Sequence, residues 1–97
     1  MTPPASSLSD VKPPPASIAS LIEVHTLQAL IFTGRQPNPQ TGKPLINLAL
    51  AKYNIDILEV IQKKTQGNLT AEEAEILQRC LSVARMAYVE ATREKKA

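Results

Sequence analysis

Ninety-seven residues leave room for one domain, and a formal charge of +2 from 11 basic and 9 acidic side chains is too mild to demand nucleic acid or an anionic membrane as partner. Aromatics make up only 3% of the chain (Phe32, Tyr53 and Tyr88), so any core must be built from Leu, Ile, Val and Ala, and a core of that kind is small. The one cysteine, Cys80, excludes an internal disulfide, and the longest apolar stretch, Ile18 to Phe32, carries Glu23 and His25 and is too short to span a bilayer. No basic-then-apolar run opens the chain, so cytoplasm is the expected location and no membrane partner is expected.

Residues 1–16 hold five of the eight prolines, and Leu8 and Val11 are their only sizeable apolar side chains after Met1. Such a stretch buries too little surface to offset its ordering entropy, so a disordered Pro/Ser-rich arm is predicted, followed by a helical domain over 17–97. Lys12-Pro13-Pro14-Pro15 has the composition that proline-reading grooves accept, but it lacks a clean PxxP spacing, and a plain tail is the simpler reading.

The first helix is predicted over about 18–33, with Ser17 as its cap and Gly34 ending it. At 100° per residue Ile18, Leu21, Ile22, His25, Ala29 and Phe32 share one face. Val24, Leu27 and Ile31 form a second stripe nearly opposite, with Leu30 beside it. A helix apolar on both sides is covered on both sides. Residues 34–44 hold three prolines and two glycines and read as a stiff loop.

Asn47 caps a second predicted helix over about 48–66, with Gly67 beyond it. Its seams are Leu48, Ala51, Ile55, Leu58 and, beside them, Leu50, Ile57, Ile61, with Asn54 set inside the second. The third helix, about 71–94, has the clearest start. Thr70 and Glu73 make a capping box, and Glu72 and Glu75 suit the positive end of the helix dipole. Leu77, Leu81, Ala84, Tyr88 and Ala91 repeat at alternating spacings of four and three, flanked by Ile76, Cys80, Val83 and Ala87. Two seams per helix predict an all-α bundle of three main helices, completed by dimerisation.

Chemistry is sparse. A zinc site needs three or four converging ligands, and one Cys and one His on different helices do not supply them, so no metal or cofactor is expected. Cys80 lies mid-face and reads as a buried small hydrophobe. His25 lies among apolar residues and needs a polar neighbour, for which Asn54 is the candidate, giving a buried polar pair rather than a catalytic one. Thr41-Gly42-Lys43 resembles the end of a phosphate loop, but Pro37 and Pro44 stand where that motif needs Gly and Ser or Thr. Asn68-Leu69-Thr70 matches a glycosylation triplet, yet Thr70 is better explained as a cap. With no nucleophile, base or enclosed pocket in prospect, the chain does not read as an enzyme.

Several segments taken in order carry a further signal. They are Gln28 to Gly34 (QALIFTG), Asn38 to Lys43 (NPQTGK), Asn47 to Lys52 (NLALAK) with Ile55 to Glu59 (IDILE), and Lys64 to Glu73 (KTQGNLTAEE). Together they resemble a family of small bacterial helical proteins catalogued as domain of unknown function 1844, over about Leu21 to Val89. The resemblance implies a bacterial, cytoplasmic helical protein and transfers no catalytic residue. It singles out Asn38, Pro39, Thr41, Gly42 and Lys43 as a candidate binding loop, whose alternative role is a rigid corner between two helices.

The expected function is a non-catalytic interaction module that associates with itself as a two-fold dimer and binds a further, unidentified protein. Its expected self-association surface is Val24, Leu27, Leu30 and Ile31, a stripe too apolar to be left in water. The alternative is a weak nucleic-acid- or ribosome-associated factor using Lys52, Lys63 and Lys64, although Asp56 and Glu59 interleave with these lysines.

Overall fold

A computed structural model describes residues 10–96, and the part of the predicted arm before Asp10 lies outside the described residues. Three helices follow one another: α1, Ile18–Phe32; α2, Leu48–Lys64; and α3, Ala71–Lys96. The fold is all-α. Among the described residues the one strand-like feature is an isolated antiparallel bridge between Thr33 and Ile46.

Each helix starts on a side-chain oxygen that takes up an otherwise unpaired amide. Ser17 has extended backbone angles and its Oγ accepts from Ser20 N at 3.1 Å. Asn47 Oδ1 accepts from Leu50 N at 3.1 Å. Thr70 and Glu73 form the reciprocal box, with Glu73 N donating to Thr70 Oγ1 at 3.1 Å and Thr70 N donating to Glu73 Oε1 at 2.9 Å.

The helix ends differ slightly from expectation. α2 stops at Lys64, two residues early: Thr65, whose N–H and hydroxyl both donate to Ile61 O at 3.0 and 2.6 Å, is its cap, and Gly67 with positive φ turns the chain away. α3 runs on to Lys96, two residues beyond the expected end.

The core is assembled from Ile22 and Ala29 of α1, Ile55, Leu58 and Ile61 of α2, and Leu77, Leu81 and Ala84 of α3. All three helices touch one another. α1 and α2 run antiparallel, tied at one end by Asn47 N to Phe32 O at 2.8 Å. α3 runs antiparallel to α2, and Arg85 of α3 meets Glu59 of α2 at 2.9 Å. The molecule measures 44 × 41 × 17 Å, so its thin axis is only two helix layers deep.

The rotation of α1 is where the structure departs most from the predicted seams. Its core line is Ile22, Thr26, Ala29 and Thr33, and Leu21, expected in the core, is 45% exposed. Thr26 is buried without penalty because its hydroxyl donates to Ile22 O at 2.7 Å. Val83 is likewise exposed, and Cys80 is half-buried rather than buried.

Candidate interaction surface

Turning α1 in this way creates an apolar face on the outside of the α1–α2 pair. Leu21, Val24, Gln28 and Ile31 form a row along α1 at spacings of three and four. Leu50, Tyr53, Ile57 and Val60 form a matching row along α2. Val24 is 48% and Tyr53 is 57% exposed, with Leu45 and Leu50 only slightly less so. Between the rows, at the α1 C-terminal end, lies a groove of ≈ 460 Å³ walled by Ile31, Phe32, Leu45, Leu50 and Tyr53 and reaching Asn54.

Asn54 is buried, and both ends of its amide are hydrogen-bonded. Its Nδ2 donates to Leu50 O at 2.9 Å, and its Oδ1 lies 2.9 Å from Nδ1 of His25, which is half-buried. The contact joins α1 to α2 by side chains at mid-helix.

The expected self-association stripe is divided by the structure. Val24 and Leu27 are exposed, whereas Leu30 and Ile31 are half-buried. By helical angle, Val24 and Ile31 lie on the groove side, Leu27 lies to the other side, and Leu30 turns toward the core. Tyr53 and Val60 belonged to no predicted seam. Their spacing from Leu50 and Ile57 was the available signal, masked by the intervening charges of Lys52, Asp56 and Glu59.

The loop of Asn38, Pro39, Thr41, Gly42 and Lys43 is held by its own polar groups. Asn38 O accepts from Thr41 N and Gly42 N, at 3.2 and 2.7 Å, and Asn38 N donates to Lys43 O at 2.9 Å. Asn38 Oδ1 accepts from Gln40 N at 3.0 Å, and Thr41 Oγ1 accepts from Lys43 N at 3.2 Å. Four of the bonds converge on Asn38, which makes the loop a rigid corner. Its Asn38, Pro39 and Gln40 also form one rim of the groove.

Of the lysines proposed for nucleic acid, Lys52 is paired with an acid, and Lys63 and Lys64 have no ion-pair partner among the described residues. Lys52 Nζ is 3.0 Å from Asp56 Oδ2, and that hydrogen bond and charge raise the pKa of the ammonium above its ordinary value. Glu59, the other interleaved acid, is taken by Arg85. Among the described residues no group of three His, Cys, Asp or Glu side chains is placed to hold a metal ion, and no helix is long and apolar enough to cross a membrane.

The family model described as a domain of unknown function (DUF1844) matches residues 15–90. No curated protein and no solved structure matches the chain. The matched span takes in α1, α2, the corner between them and most of α3, and the chain belongs to the DUF1844 family.

Proposed function

We propose that this protein is a non-catalytic interaction module that associates with a second copy of itself through the open α1–α2 face. The apolar rows on α1 and α2 carry the reading. Fully burying a large apolar side chain is worth about 1.5–3 kcal/mol. Leu21, Val24, Leu45, Leu50 and Tyr53, each near half exposed, therefore leave on the order of 4–7 kcal/mol unrealised in water, comparable to the whole stability of a small domain. Two-fold association covers the same patch on both copies at once and thickens a body only two helix layers deep. Gln28 interrupts the apolar surface at a fixed point, as the polar positions of helical interfaces do when they set register.

Light scattering across a concentration series reads the assembly directly. The expected mass is twice the 10.6 kDa of one chain. The double variant Val24→Glu, Tyr53→Glu should return it to one chain with its helical circular dichroism intact, because both residues are exposed in the single copy. A mass of one chain at every concentration overturns the proposal.

A further inference from the structure

We infer that Lys12-Pro13-Pro14-Pro15 of one copy lies in the α1–α2 groove of the other. The inference rests on the self-association proposed above and adds the segment each copy contributes to its partner.

The segment is presented rather than packed. Every residue from Asp10 to Ser17 is exposed, and Val11 is 65% exposed. Its exit from the helix is nevertheless fixed, since the Ser20 hydroxyl donates to Pro15 O at 2.7 Å. Three successive prolines favour the extended polyproline helix, which binds at low ordering cost and leaves its carbonyls free to accept hydrogen bonds.

The groove offers what such a segment needs. Phe32 and Tyr53 supply ring faces, and Leu45 and Pro39 supply further apolar wall. Gln28 and the Nδ2 of Asn38 stand at the rim as donors and make no hydrogen bond to another described residue. Lys43, on the same corner, has no ion-pair partner among the described residues, and Asp10 at the head of the segment has the complementary charge.

Geometry selects the partner's segment over the chain's own. The groove spans Gln28 to Phe32 at the C-terminal end of α1, and the prolines leave its N-terminal end, about 15–21 Å away at 1.5 Å per residue. Stepping back from Pro15 to Lys12 covers only about 9 Å at 3.1 Å per residue, so the segment cannot reach its own groove. Two-fold pairing about the middle of α1 sets the start of one helix beside the end of the other. That brings the partner's prolines over Asn38, Pro39 and Leu45.

The experiment is an isotope-filtered nuclear Overhauser measurement on dimers mixed from labelled and unlabelled full-length chains. Contacts between proline ring protons of one copy and the Phe32 and Tyr53 rings of the other are expected. The triple variant Pro13→Ala, Pro14→Ala, Pro15→Ala should weaken dimerisation about tenfold while its circular dichroism stays unchanged, as these residues lie outside the helices. A dimer with no such contacts and undiminished affinity in the triple variant overturns the inference and leaves self-association standing. Contacts found only within one chain overturn it in favour of the chain's own arm. A monomer overturns both readings.

Discussion

Asn54 settles which nitrogen of His25 carries the proton. Its Nδ2 is committed to Leu50 O, an acceptor only, so its Oδ1 is the atom turned toward His25 Nδ1 at 2.9 Å, and the imidazole must donate. The neutral ring is therefore the Nδ1–H tautomer, with its lone pair on Nε2. Long-range nitrogen–proton correlation spectra distinguish the two forms, and a dominant Nε2–H signal would contradict the pairing. Asn54→Ala should cost about 1–3 kcal/mol in urea unfolding, because it strips partners from a ring and a carbonyl at the α1–α2 boundary.

Gly34 and Gly67 both adopt positive φ, at +82° and +80°, but their surroundings differ. A Cβ on Gly34 would stand 3.1 Å from Ile46 Cγ1, beside the Thr33–Ile46 bridge, whereas one on Gly67 meets open space. Gly67→Ala should cost about 1 kcal/mol, from backbone strain alone. Gly34→Ala should cost at least about 1 kcal/mol more, since Ile46 must also shift. Equal shifts in denaturant midpoint would mean that the neck of the loop yields freely.

The box at the head of α3 predicts a graded series. Thr70→Ala removes the acceptor for Glu73 N and should cost about 1 kcal/mol, while Thr70→Ser keeps the oxygen and should cost only a few tenths. Thermal melts of the two variants check the order, and an alanine variant as stable as the serine one would sink the assignment.

Within α3, Leu81 and Val83 sit two residues apart in opposite environments. Leu81 is fully buried, and Leu81→Ala should lose about 2–5 kcal/mol. Val83 is exposed, and Val83→Ala should stay within about 0.5 kcal/mol of the parent. A large loss at Val83 would show that the outer side of α3 is covered in solution.

The helix starts were legible because Ser17, Asn47 and Thr70 each place an oxygen where free amides need one, a strictly local requirement. The seam of α3 was largely legible as well, since Leu77, Leu81, Ala84 and Ala91 recur at spacings of four and three, although Val83, Met86 and Val89 lie exposed outside it. The rotation of α1 was not. Apolar residues surround that helix, so no polar side marks its outside, and Leu21 and Thr26 exchange the places that polarity alone assigns them. Thr26 passes into the core because its hydroxyl is satisfied one turn back, a bond that hydropathy does not register. The groove was hidden for another reason. Its walls come from α1, the corner and α2, and only the antiparallel pairing of the two helices brings Phe32 within reach of Tyr53.

The connection between α1 and α2 is tied at its neck, by Asn47 N to Phe32 O and by Arg35 and Gln36 amides returning to Leu30 O. A loop closed at its base has already met its closure entropy there, and lengthening its tip adds only slowly to that cost. A change beyond the neck, around Pro39 and Gln40, therefore costs the helices behind it little, and its penalty falls on the bonds that Asn38 makes within the corner. Since the same stretch rims the groove, the neck separates two kinds of damage: a change at the tip reshapes the groove, and a change at the neck loosens the helices.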